Sequence, residues 1–475
     1  MSAGFFREES TEPTMNDCAH PGSFRDPSGF LFFHEGQLYR KIHRNYGPTY
    51  ETLMRSGLYE KLTETQRLLI PHEEVELPEL ADEEFNITLK PQMVPFISYP
   101  YEWCFSMLKD AALATLAIQR KALEHGMSLK DCSAYNIQFL EGKPLLIDTL
   151  SLDAYQEGAP WVAYRQFCQH FLAPLSLMSL SDPRLGQLFR SYIDGIPLDL
   201  AARLLPWHAR LNLGVLLHIV FHARGQTYFS QRSKSKVLKK RSLSKRGLLV
   251  LVENLESTIE RLQWNGTRSP WTSYYEEDSY SRDGFSHKHA LVSEYLDLLG
   301  PKLVWDFGGN SGVFSAIAES KRMNVILFDS DATVVERAYQ KTRVQELSRI
   351  LPLQMNFSNP SPSLGWAHEE RMSLANRGPA DCVVALAFAH HLAISGNVPL
   401  SAIARFFATV GKSVIVEFVP KNDPKVQLLL STREDIFPNY AVPAFEQAFL
   451  NFFSIVRKNH IHDSHRILYA MKRKA

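Results

Sequence analysis

One stretch limits what this chain can fold into more than any other: Leu303-Val304-Trp305-Asp306-Phe307-Gly308-Gly309-Asn310-Ser311-Gly312-Val313-Phe314. An apolar run predicts a strand. A small-residue turn follows, and then a helix through Phe314, Ile317 and Ala318. Glycines between strand and helix let backbone come close to a ligand, and Gly308 and Gly312 remove side chains where one would lie. Asp306 falls at the carboxyl end of the strand, where open α/β sheets bind ligands; it can hold a cationic or hydroxyl-bearing group.

After this turn, apolar strands alternate with helices. Asn324–Asp329 reads as a strand ending in an acid, about 20 residues past the glycines, where a carboxylate can accept two ribose hydroxyls. Asp331 is the near alternative. Residues 351–357 read as a third strand, closing on Asn356. Residues 381–388 are a fourth, followed by His390 and His391, and residues 412–420 a fifth. Residues 452–456 and 466–471 end the chain as strands.

Asp306, Gly308, Asn310 and Gly312 form a D-x-G-x-N-x-G spacing. A nicotinamide site asks for G-x-G-x-x-G and a P-loop for G-K-[ST]; neither is present. The spacing resembles the first motif of class I S-adenosylmethionine (SAM) methyltransferases, with Asn310 in place of the middle glycine. That resemblance covers residues 285–475. It implies a Rossmann-like α/β domain with a seven-stranded sheet closed by an antiparallel pair, and SAM as cofactor. Gly308, Asn310, Gly312 and Asp306 would seat the methionine end, Asp329 the ribose and Asn356 the adenine amine. His390 and His391 follow the fourth strand, where the resembled fold brings residues beside the transferring methyl. Histidine titrates near neutrality and can take a proton from a hydroxyl, so both are candidate catalytic residues. Adjacent helical residues point about 100° apart, so at most one faces the donor, with His391 favoured.

The first half reads differently. Residues 30–33 and 37–42 predict a hairpin around Glu35-Gly36, residues 49–62 a helix, and residues 71–92 a loop or edge segment. Residues 101–125 predict a long buried helix. Asp131 and Asn136 then share the D-x-x-x-x-N spacing of a protein-kinase catalytic loop, and Asp148 follows the next strand pair. This resembles a kinase core over residues 28–200 and implies an N-terminal α+β kinase-like binding domain. Leu129 where the kinase histidine stands, Thr149-Leu150 after Asp148 and the lack of a glycine-rich phosphate loop mark it as degenerate. Lys41 and Glu51 are candidates for the kinase lysine–glutamate pair. His170 reads as a core histidine, and Pro174 as a kink in a packed helix.

The resulting division is a flexible tail at 1–27, the kinase-like domain at 28–234, a basic linker and aromatic cap at 235–284, and the methyltransferase-like domain at 285–475. Arg232 to Arg246 carries eight basic residues and no acid, which reads as a solvated linker or a phosphate-binding stripe. Net charge is only +1, so no overall field draws nucleic acid or membrane. Five dispersed cysteines without C-x-x-C fit a reducing cytoplasm and no structural metal. The first residues lack the apolar core of a signal peptide, and no run reaches the ~18 apolar residues of a membrane span.

With Asn359-Pro360-Ser361-Pro362, Ala389-His390-His391-Leu392 and Glu417-Phe418-Val419-Pro420, the whole resembles a bacterial group of rhizobial nodulation-protein-like methyltransferases. The reading is a SAM-dependent methyltransferase acting on a small molecule or a carbohydrate-type hydroxyl. The alternatives are a Mg/ATP phosphotransferase with a SAM-sensing domain, and a non-enzymatic RNA- or protein-binding scaffold.

Overall fold

The structure, a computed structural model, describes residues 19–78, 84–222, 243–266, 280–431 and 433–474. The second half is built on a seven-stranded sheet: β9 (Leu303–Phe307), β10 (Asn324–Asp329), β11 (Ile350–Gln354), β12 (Cys382–Ala385), β13 (Ser413–Phe418), β14 (Phe453–His460) and β15 (Ile467–Arg473). The spatial order is β11-β10-β9-β12-β13-β15-β14. The first five run parallel; β15 is antiparallel to β13, and β14 to β15. The chain steps outward from β9 to β10 and β11, then returns to the other side of β9 with β12. That reversal opens a crevice at the carboxyl ends of β9 and β12, where such sheets bind ligands.

Strand alternation decides what covers each face. Val304, Val325, Leu327, Val384 and Ile415 face one way and pack on Leu291, Val292, Tyr295 and Leu296 of the helix Arg282–Leu299. Trp305, Phe307, Ile326 and Phe328 face the other way, into a core that is continuous with the first half of the chain. Phe96 sets its edge against both Trp305 (5.5 Å) and Phe328 (5.9 Å).

The first half carries a four-stranded antiparallel sheet in the order β1-β2-β4-β3, made of β1 (Gly29–His34), β2 (Gln37–His43), β3 (His72–Val75) and β4 (Phe85–Pro91). Residues 71–92 are therefore more than an edge loop, because β4 lies between β2 and β3. The long helix is Phe105–Glu124, beside the short pairs β5 (Met127–Leu129) with β8 (Leu152–Ala154), and β6 (Ile137–Leu140) with β7 (Lys143–Leu146). The helix predicted over 49–62 stops at Arg55, because Gly57 takes a left-handed φ of 74° before the chain turns helical again. The kink assigned to Pro174 begins earlier, as a π turn over Cys168–Leu172 that relieves the proline's clash with the preceding turn.

Two of the sequence boundaries shift. Residues 19–27, grouped with the tail, are tied to both halves: Ala19 bridges to Phe32 in the first, and Arg25 pairs with Glu370 in the second. Within 235–284, the helix Lys245–Arg261 is no linker. It buries Leu248, Val252, Leu255 and Ile259 in the same core as the helix Phe105–Glu124. Residues 232–242 of the basic stretch and Trp271, Tyr274 and Tyr275 of the aromatic segment lie outside the described residues.

The contact between halves is polar as well as apolar. Glu102 makes a bidentate pair with Arg377 at 2.6 and 2.8 Å and accepts from Ser361 Oγ at 2.5 Å; neither side chain of the pair is more than 1% exposed. Removing one partner of such a pair strands the other charge in the core. Glu102→Ala is expected to lower the unfolding free energy by about 3–5 kcal/mol in urea denaturation. A loss under about 1 kcal/mol would show that the guanidinium finds water.

Candidate functional site

A cavity of about 290 Å³ opens at the reversal between β9 and β12. Its wall comes from four strand ends: Asp306 and Gly308–Asn310 after β9, Asp329 and Ser330 after β10, Met355–Ser358 after β11, and Leu386–Phe388 with His391 and Leu392 after β12. Lys288 and Phe314 close another side.

The glycine turn is held by β10: the N–H groups of Gly308 and Gly309 both donate to the Phe328 carbonyl. Gly308 has a φ of 70°, and a Cβ there would meet the Phe388 ring at 2.8 Å. A side chain at Gly308 thus collides with the protein's own wall as well as with any ligand. Asn310, in place of a glycine, has a φ of 49°, a conformation that asparagine tolerates better than most residues. Gly312, left-handed at φ 74°, precedes the helix Val313–Ser320 and is not part of the cavity wall.

Asp306 is buried, and Ser315 Oγ donates to its Oδ2 at 2.6 Å. Asp329 accepts from the N–H of Asn310 at 3.2 Å and of Asp331 at 3.0 Å. Burial pushes both carboxyls up to about 6; the Asp329 charge adds to the effect on Asp306, and the Asp331 charge to that on Asp329. Asp331, the alternative acid, instead caps the helix Ala332–Val344, accepting from Thr333 and Val334. Asn356 lies beyond the end of β11 on the cavity wall, and its side-chain oxygen already accepts from the Ser358 N–H at 2.9 Å.

The two histidines part company. His391 lines the cavity; burial lowers it to about 4, so its imidazole is neutral at pH 7. His390 is 1% exposed and off the cavity wall, held well below its usual range by burial and by the charges of Arg466 and Lys288.

Sequence reasoning missed a buried polar cluster beside this cavity. Glu417, fully buried in the inner strand β13, accepts from Lys288 Nζ at 2.7 Å, from the Ala387 N–H at 2.8 Å and from the Tyr280 hydroxyl. Arg466 adds a contact at 3.5 Å and pairs with Asp423 at 2.7 Å. Ala387, on the cavity wall, is left-handed at φ 47°, a strain that its bond to Glu417 helps to hold. The signal was present in the pattern. Lys288 stands on the buried face of its helix with Gly284, Leu291, Val292 and Tyr295, and Glu417 interrupts an all-buried strand.

The kinase-like residues gather elsewhere, around Arg40. Its guanidinium pairs with Asp148 Oδ1 at 2.7 Å and also with Asp26, while Asp148 Oδ2 accepts from Ser151. Asp131 accepts from Gln166 at 2.7 Å, and Asn136 reaches Ser151 at 3.3 Å. Glu51 does not serve as a partner for Lys41: it is exposed and pairs with Arg55. His170 is buried as expected, accepting from the Ala134 N–H.

Comparison with known proteins decides the family. The chain is 35% identical over 459 residues, 95% of each protein, to the nodulation protein NoeA of Rhizobium meliloti (strain 1021). It belongs to the NoeA family. No family model matches it. Among solved structures, the N-methyltransferase NodS from Bradyrhizobium japonicum is 9% identical, covering 41% of this chain and 99% of that one, at a TM-score of 0.32. Magnesium protoporphyrin IX methyltransferase from Synechocystis, with bound SAH, is 19% identical over 44% and 90%, at 0.31. WbdD is 15% identical over 42% of each chain, also at 0.31. Overlaps this slight carry no weight for chemistry.

The raised carboxyls of this NoeA-family chain set a pH dependence. A folded Asp306 that takes its proton near pH 6, against about 3.8 unfolded, costs the fold stability at neutral pH; the cost fades as pH falls through 6. Relative to Asp306→Asn, wild type is expected to gain unfolding free energy between pH 7 and pH 5. Parallel stability curves for the two proteins over that range would contradict this.

Proposed function

We propose that this chain is a SAM-dependent methyltransferase. The observation that carries the reading is the convergence of Asp306, Asp329 and Asn356 from three successive strand ends onto one cavity, at the point where the sheet reverses direction. The chemistry of the wall fits that group. Asp306 is a buried carboxylate whose side-chain hydrogen bond among the described residues, from Ser315, goes to Oδ2, which leaves Oδ1 to suit an ammonium. Asp329 has two oxygens at the depth of the glycine turn, suited to paired hydroxyls. Met355, Phe357, Phe388 and Leu392 make apolar walls for a flat ring, with the Asn356 amide at its edge.

When bound, SAM supplies an electrophilic methyl group on a sulfonium sulfur. The residues of the chain then have to align an acceptor and handle one proton. His391 can accept the hydrogen of an acceptor hydroxyl, because burial keeps its ring neutral. A group lowered to about 4 is a weak base, so it orients the hydroxyl more than it deprotonates it. We take a small-molecule or carbohydrate-type hydroxyl as the acceptor class, because a neutral His391 on the wall can accept its hydrogen bond. The Arg40 clamp on Asp148 disfavours the phosphotransferase alternative: a guanidinium takes up the carboxylate that a metal-bound phosphate would need.

Isothermal titration tests the reading. Wild type is expected to bind SAM, and Asp329→Ala to weaken it by roughly 1–3 kcal/mol, the scale for charged hydrogen bonds. No heat with about 1 mM SAM, in a protein that melts cooperatively, would sink the assignment. Asp329 is a better probe than Gly308, whose substitution also displaces Phe388.

A further inference from the structure

Lys288 is an unusual neighbour for a ligand cavity. Its side chain is 3% exposed, it lies on the wall, and burial pulls its ammonium below the usual range. Nζ has three N–H groups. Two are used, on Glu417 Oε2 at 2.7 Å and on the Tyr280 hydroxyl at 2.8 Å. The Phe314 and Tyr280 rings flank it, with centroids 5.0 and 4.6 Å away.

On the same cavity stands Asp306. The two charges are close enough to act on each other, yet they form no ion pair: Lys288 pairs with Glu417, and Asp306 takes its hydrogen bond from Ser315. A buried cation and a buried anion, each held by its own support and facing one cavity, are complementary to a zwitterion. The α-ammonium would sit on Asp306 and the α-carboxylate on Lys288.

We propose that Lys288 makes this site specific for a donor with an intact α-carboxylate, and that Glu417 is the positioning residue that holds Lys288 to that task. The inference rests on the donor reading above. Glu417 Oε2 is shared by Lys288 Nζ and by the N–H of Ala387. The contact to the amino-acid end of the donor is therefore one residue removed from the strained turn after β12. Lys288 thus ties recognition of the donor to the shape of the opposite wall.

The test is titration calorimetry with S-adenosylhomocysteine and with its decarboxylated analogue, on wild type and Lys288→Met. Wild type is expected to prefer the intact ligand by about tenfold to a hundredfold. Lys288→Met is expected to bring that ratio close to one by weakening the intact ligand alone. Because methionine leaves Glu417 with fewer donors, Lys288→Met/Glu417→Gln serves where the single variant fails to melt cooperatively, with the same expected ratio. Lys288→Arg should restore part of the preference. An unchanged ratio in a folded variant, or no preference in wild type, overturns the proposal while leaving the donor reading intact. Binding of neither ligand by wild type overturns both.

Discussion

Glu417 is the group on which the upper half of the sheet depends. A carboxylate with no exposure, in an inner strand, is costly unless donors surround it. Here they come from separate parts of the chain: Lys288 from the helix before β9, Ala387 from the turn after β12, Tyr280 from the start of that helix, and Arg466 from the entry to β15. The attraction of Lys288 and Arg466 holds the Glu417 carboxyl below its usual range despite burial. Because the donors come from three places besides β13, satisfying this one charge sets the positions of that helix, the turn after β12 and the entry to β15 relative to the strand. The cavity lies between those elements, so its shape follows from the same requirement.

A second dependence runs between the halves. Trp305, Phe307 and Phe328 make one face of the sheet so apolar that it has to be covered. The first half supplies the cover through Phe96, and it grips the segment after β11. Ser361 and Arg377 bond to Glu102, Met372 N–H donates to the Tyr99 hydroxyl, and Arg190 reaches the carbonyls of Asn359 and Pro360. That segment begins with the cavity residues Met355–Ser358. One wall of the proposed donor site is therefore anchored on the first half of the chain.

What was legible in the sequence follows from how local the signals are. The strand Asn324–Asp329 and the hairpin around Glu35-Gly36 were readable to within a residue, because alternation and turn residues act over neighbouring positions. The glycine turn and Asp329 were readable for the same reason, with a fixed spacing along one βαβ unit. Two kinds of feature were not. The capping role of Asp331, which accepts from Thr333 and Val334, was one. The Lys288–Glu417 pair joins residues 129 apart, and each alone looks like a mistake in an apolar pattern. The same holds for Arg40, which nothing in its hairpin marks as the partner of Asp148.

The misfits in the pattern turn out to share one logic. Lys288, Asp306 and Glu417 place charge where an apolar residue would stabilise the core more, and Asp329 adds a half-buried carboxylate beside them. Two of them are already paired, Lys288 with Glu417. The other two are not: among the described residues no cation pairs with Asp306 or Asp329, and burial raises both toward the protonated form. Such a pair is costly in the protein by itself, since each carboxylate disfavours the other. The cost is offset when a ligand brings an ammonium to one and hydroxyl donors to the other. The proposed donor carries both groups in one molecule, so the two carboxylates at the ends of adjacent strands would be relieved together.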